Sequence, residues 1–326
     1  MHGIPKGLMF AVYYPVIATI GVPANLTVIA ILSRRRCGLS GCTIYYLVSM
    51  AVTDLLVLVT CVILNRIAGI YFPYSFLSTT PVCRLRAVLN STAVDSSAWL
   101  TVTFTFDRFV VISCQKLKTK YCTKKTAAWV IGIVSTLCSI KNAFLYFIYE
   151  PVYTFNNVPW FCNIKLIFYM SPAWAAYDLF RGIFNPFLPF ILILLLNALT
   201  IRYIIVANGA RRRLRAQSQG ENQSDAEMKK RRKSIVLLFA ISGSFLLLYF
   251  LSFITILYVR IAKVTYFSGS DFSQSIFILE GSAFMILFLC SCINPFIYAG
   301  TQNEFRVELK NGLKYPLLRL LKRFEI

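Results

Sequence analysis

The chain has 326 residues, 57% of them hydrophobic and only 14% charged, with a formal net charge of +21. Soluble globular proteins lie nearer 45–50% apolar and about 25% charged, so the composition excludes an ordinary soluble fold. The bases cluster between long apolar runs instead of covering one surface, which argues for a membrane protein and against a nucleic-acid binder.

A helix needs about 20 apolar residues to cross a bilayer core, and seven windows meet or approach that length. Segment one, Leu8–Leu32, is uncharged and reads as a signal-anchor without a basic lead-in. Segment two, Thr43–Asn65, carries one charge, Asp54. Segment three, Pro81–Ser113, holds Asp95, Asp107 and Arg108, with Arg84 and Arg86 at its start. Segment four, Thr126–Ile148, contains Lys141, and segment five, Ala175–Val206, contains Asp178, Arg181 and Arg202. Segment six, Ser234–Val259, is uncharged, and segment seven, Phe272–Ala299, has Glu280. The expected fold is an all-α membrane protein, a seven-transmembrane helix bundle spanning residues 8–299. A short extracellular N-terminus covers 1–7, and a cytoplasmic tail covers 300–326.

Basic residues set the orientation. Of the 34 Lys and Arg, 23 fall in the first, second and third inner connections and the tail. The amino end is therefore expected outside and the carboxyl end in the cytosol, at the plasma membrane. The third inner loop, about 207–233, reads as two basic blocks that extend the flanking helices and touch anionic lipid, around a flexible polar centre. The tail after Thr301 has no Ser, Thr or Cys, so phosphate-dependent arrestin recruitment through it is not expected. Of the ten cysteines, four face the reducing cytosol and four lie in helices. Cys83 and Cys162 remain in oxidising space, either joined as a disulfide, the expected case, or as two separate thiols.

Charges and amides inside hydrocarbon are costly, so each marks a functional candidate. Asp54 is mid-segment two, and Asn25 is mid-segment one in "GVPAN". Segment seven ends "CSCINPFIYAG", where Pro295 removes a backbone hydrogen bond and frees a carbonyl that needs a polar partner or water. Asp54, Asn25, Asn294 and Ser97 are expected to share one hydrated polar cluster.

"GVPAN", "MAVTD", Cys83 with "DRF" 25 residues on, Trp129, Cys162, Pro189, Phe245 and "NPFIY" together resemble the class A, rhodopsin-like G-protein-coupled receptors. "NEFR" (303–306) resembles the start of their short amphipathic helix 8. Within the class, "SSAWLTVTFTFDRFV" and Asn197 resemble orphan receptors that respond to aromatic amino acids or short peptides. The resemblance implies a receptor, not an enzyme, partnered by a heterotrimeric G protein, membrane lipids and an extracellular amino-acid-like or peptide ligand, with no nucleic acid. It makes Asp107–Arg108 the coupling switch, with Asn294, Pro295 and Tyr298 taking part. It implies no cofactor beyond an allosteric sodium ion at Asp54, Ser97 and Asn294. The departures are Tyr249 and Leu251 where relatives carry a Trp and a kinking Pro in helix 6, Asn197 for a helix 5 tyrosine, and Cys290 for an amide.

The candidate ligand pocket comprises Asn90, Val94, Asp95, Arg181, Tyr249, Phe253 and Glu280. Asn90 occupies the position of the amine-binding Asp, which speaks against a monoamine. Arg181 is assigned to a ligand carboxylate, Asp95 or Glu280 to an ammonium, and Tyr249 with Phe253 to an aromatic floor. A resting Asp95–Arg181 ion pair is the competing expectation. A retinal protein would need a lysine in segment seven, which has none. A transporter would show repeats or several broken helices. An enzyme would show a nucleophile–base set, and the sole His is His2. A non-signalling decoy receptor is the remaining alternative.

Overall fold

The computed structural model describes residues 8–34, 38–215, 224–262 and 275–312. The expectations for residues 1–7, for the centre of the third loop at 216–223 and for the tail beyond 312 lie outside them. Seven long helices form the bundle. They are α1 (Leu8–Ser33), α2 (Gly41–Val57, continued through Leu58–Ile67 to Ala68–Tyr71), α3 (Thr80–Ser113) and α4 (Lys124–Ala143). The next three are α5 (Pro172–Gly182, Ile183–Phe187 and Leu188–Arg215), α6 (Ser224–Ala262) and α7 (Ser275–Thr301). A further helix, α8, spans 303–312. Among the described residues six helices are apolar enough to cross a membrane unaided. The seventh is α3, whose 34 residues carry five charges.

Local chemistry sets the starts. Ser40 caps α2 by accepting the Thr43 amide at 3.3 Å, and Thr123 caps α4 by accepting the Thr126 amide at 3.1 Å. Pro81 sits in the first turn of α3, where its missing N–H costs nothing. α5 and α6 reach further than their apolar windows, to Arg215 and from Ser224. α6 is one 39-residue helix without proline.

Prolines inside helices free the carbonyl four residues earlier. Pro15 frees that of Ala11, which accepts the Tyr71 hydroxyl from α2 at 2.9 Å. Pro295 frees that of Ser291, which accepts Asn25 Nδ2 from α1 at 2.9 Å. In α5, Asn185 leaves the helical region (φ −155°, ψ 125°), as a residue before proline favours, and the Leu188 amide bonds back to Ile183. The bypassed Phe184 carbonyl accepts Trp99 Nε1 from α3 at 3.2 Å. The widened turns at Leu58–Ile67 and Ile183–Phe187 are π-helical, a geometry that turns side chains off the regular helical face.

Between α4 and α5 lie two short antiparallel pairings. β1 (Tyr149–Glu150) pairs with β4 (Asn163–Ile164), and β2 (Tyr153–Phe155) with β3 (Val158–Trp160). Asn156 and Asn157 make the β2–β3 turn with positive φ at both positions, the backbone that a two-residue hairpin asks for. Cys162 is disulfide-bonded to Cys83 at the start of α3. This end of the bundle is called the disulfide end below.

Two apolar clusters fill the bundle. One centres on Tyr14, Leu58, Phe245 and Phe288, the other on Leu47, Met50, Leu100 and Phe104. Along α2, Asp54 falls between the two. Lipid tails give no hydrophobic drive between helices, so close backbone approach matters more. A Cβ built on Gly21 of α1 would stand 2.6 Å from Cys292 Sγ and 2.7 Å from Leu58 Cδ1. Gly21 thus lets α1, α2 and α7 meet.

Candidate ligand cavity and coupling switch

A cavity of about 300 Å³ opens at the disulfide end. Asn90, Val94, Asp95, Arg181, Tyr249 and Glu280 all line it, on α3, α5, α6 and α7. Phe253 does not. One turn beyond Tyr249, it turns toward α5 and stacks on Phe190 and Phe187, with centroids 4.8 and 5.4 Å apart. The aromatic floor therefore loses Phe253. Tyr249, 3% exposed and stacked on Phe245 at 3.9 Å, stays in the wall.

The Asp95–Arg181 pair does not form. Asp95 instead meets Lys141 Nζ of α4 at 2.5 Å, Asn142 Nδ2 at 2.5 Å and Asn185 Nδ2 of α5 at 2.6 Å. One carboxylate thus joins three helices, and it is 5% exposed. Lys141 Nζ also lies 4.4 Å from the Phe184 ring centroid, a cation–π contact. Arg181 pairs at 3.8 Å with Asp178, three residues away on the same face. Sequence reasoning missed Lys141, Asn142 and Asn185 as partners of Asp95. The signal was there in part, since Asn185 precedes Pro186 and is thereby pushed off the helical path.

Midway down, Ser97 Oγ donates to Asp54 Oδ1 and Asn294 Nδ2 to Oδ2, each at 2.7 Å. Ser291, buried on α7 one turn before Asn294, faces the same region. Asn25 joins this region through the α7 backbone instead of through Asp54 itself. Asp54, Ser97 and Ser291 offer carboxylate and hydroxyl oxygens, a set that suits a hard cation such as sodium. The soft sulfur of Cys290 does not add to it.

At the opposite end, Arg108 Nε donates to Asp107 Oδ2 at 3.0 Å, and a second guanidinium nitrogen contacts the same oxygen. Both residues are buried. The other carboxylate oxygen accepts the Cys42 thiol of α2 at 3.1 Å. Tyr298 of α7 is buried and packs edge-on against Phe305 of α8, with centroids 6.3 Å apart. Ser242 of α6 donates to Asn197 Oδ1 of α5 at 3.0 Å.

Lys233 of α6 reaches Glu304 of α8 at 2.9 Å. The hydrogen bond from Lys233 holds the Glu304 carboxyl below its ordinary value of 4.5. A lowered carboxylate stabilises the tie above that value and loses the contribution as pH falls through the lowered one. Both side chains are over a third exposed, so the tie contributes under about 1 kcal/mol and weakens with salt. Spin labels on α6 and α8 should report a broader distance distribution below pH 4.5 and at high salt. Lys233→Met should be broad at every pH. An unchanged wild-type distribution across both titrations would rule the tie out.

The model of the family described as "7 transmembrane receptor (rhodopsin family)" matches residues 24–298. The chain belongs to that family. The receptor is 22% identical over 307 residues to galanin receptor type 2 of Rattus norvegicus, covering 93% of this chain and 75% of the relative. It is 24% identical over 316 residues to the thyrotropin-releasing hormone receptor of Gallus gallus, covering 90% and 75%. Membership makes it a membrane-spanning receptor, not an enzyme.

Proposed function

We propose that the receptor takes a short peptide or amino-acid-like ligand from outside the cell into the cavity at the disulfide end and activates a heterotrimeric G protein at the Asp107–Arg108 end. The observation that carries this reading is the wall of the cavity. It sets Asp95–Lys141, Arg181–Asp178 and Glu280 among Tyr249, Phe284 and Phe288, an apolar enclosure with a few convergent charges. A ligand with charged termini and an aromatic group matches that lining. The relatives named for galanin and for thyrotropin-releasing hormone support a peptide over a lipid or a monoamine.

In this reading the amino end is outside, the carboxyl end is cytosolic, and the plasma membrane is the site of action. Arg181 contributes to holding a ligand carboxylate, and Asp107 restrains Arg108 at rest. Sodium, held by Asp54, Ser97 and Ser291 beside Asn294, would stabilise the ionised carboxylate at mid-bundle and the resting arrangement with it. The test is a dose–response screen of amino acids and di- to tetrapeptides read by calcium and cyclic AMP. Arg181→Ala should raise the half-maximal concentration of an active peptide at least tenfold, about 1.4 kcal/mol. Unchanged potency would remove Arg181 from the site, and silence toward every compound would remove the peptide reading.

A further inference from the structure

We infer that Arg66, at the α1–α2–α7 side of the cavity, is the anchor for a carboxylate group on the ligand, an assignment that rests on the peptide-receptor reading above. Arg66 lies in the π-helical stretch of α2, Leu58–Ile67, and lines the cavity. The other basic side chains described in that wall each have a carboxylate partner: Lys141 has Asp95 at 2.5 Å and Arg181 has Asp178 at 3.8 Å. Among the described residues, no carboxylate oxygen comes within 4.0 Å of Arg66.

What surrounds Arg66 is aromatic. Its guanidinium carbon stands 5.9 Å from the Tyr14 ring centroid on α1 and 5.3 Å from that of Phe284 on α7. Rings satisfy the weakly hydrated faces of a guanidinium. They do nothing for its edge, where the N–H donors lie. One of those donors, Nε, is buried with no hydrogen-bond partner among the described residues. A permanently charged planar fork, packed between two rings with a buried donor unused, matches one ligand group above others. A carboxylate takes two parallel N–H bonds from such an edge and neutralises the charge. Its source is either the peptide's own carboxyl terminus or an Asp or Glu side chain.

The experiment measures thermal stabilisation of the full-length receptor in lipid nanodiscs by a tetrapeptide library. Each peptide is made as a C-terminal acid and as a C-terminal amide, with amides containing Asp or Glu as a third set. Wild type should bind a carboxylate-bearing form at least tenfold more tightly than its neutral amide. The acid set prevailing assigns the terminus, and the Asp/Glu amide set prevailing assigns a side chain. Arg66→Gln should cut the preference at least fivefold, down to what Arg181 supplies, while leaving residual binding of both forms. Arg66→Lys, which keeps charge but not the planar fork, should retain a weaker preference and serves if Arg66→Gln fails to fold. A purely structural Arg66 would lower stability equally for all peptide sets. Equal binding of acid and amide by wild type, or a preference that Arg66→Gln leaves unchanged, overturns the assignment while the peptide reading stands. Failure of every peptide to stabilise wild type overturns both.

Discussion

Lys141→Met should lower the receptor's stability by about 3 kcal/mol, near the lower end of what removing one partner of a buried ion pair costs. The low end applies because Asp95 keeps the amides of Asn142 and Asn185 at 2.5 and 2.6 Å. Polar contacts within bilayers are often weak, well under 1 kcal/mol on average. The charge left behind on Asp95, 5% exposed, outweighs that discount because it is largely shielded from water and has no second cation within 4.0 Å among the described residues. At about 2–4 °C per kcal/mol for a larger domain, the thermal midpoint in detergent should fall by roughly 6–12 °C. The double replacement Lys141→Met with Asp95→Leu should recover most of it, because no charge is then buried. A neutral Lys141→Met would mean that Asp95 is held by its amides alone.

Asp107→Asn should raise basal GTP exchange about tenfold, and Arg108→Ala should silence the agonist response. Arg108 is 5% exposed and its described hydrogen bonds go to Asp107 Oδ2. A charge-assisted hydrogen bond of this kind contributes about 1.5–3 kcal/mol, and a loss of 1.4 kcal/mol already shifts a two-state equilibrium tenfold. Cys42→Ala removes the weaker thiol contact at 3.1 Å and should raise basal activity much less. Both Asp107→Asn and Arg108→Ala behaving as wild type would end the switch proposal.

The helix count was legible because apolar runs of bilayer length have few other readings. The pairing of Cys83 with Cys162 was legible because topology left few thiols in oxidising space. Helix interiors were harder. The widened turns at Leu58–Ile67 and Ile183–Phe187 leave no period in the sequence, yet Arg66 and Asn185, which lie in them, line the cavity. The partner of Asp95 was misread because the family resemblance pointed the carboxylate at helix 5 and its Arg181. The side chain facing it depends on how α4 and α5 are rotated, which a resemblance in motifs does not encode. Phe253 was misread for the same reason: spacing put it one turn from Tyr249, and rotation of α6 gave its ring to Phe190.

The carbonyls left over at Ala11, Phe184 and Ser291 each take a donor from a different helix: Tyr71, Trp99 and Asn25. At these points bending a helix and turning it against its neighbour are not independent motions. A change of bend at Pro295 must carry α1 with it or break the bond to Asn25. The bends at Pro15, Pro186 and Pro295 are therefore tied to neighbouring helices, and a displacement started in the cavity wall at Asn185 is passed to α3 through the bond between Phe184 and Trp99.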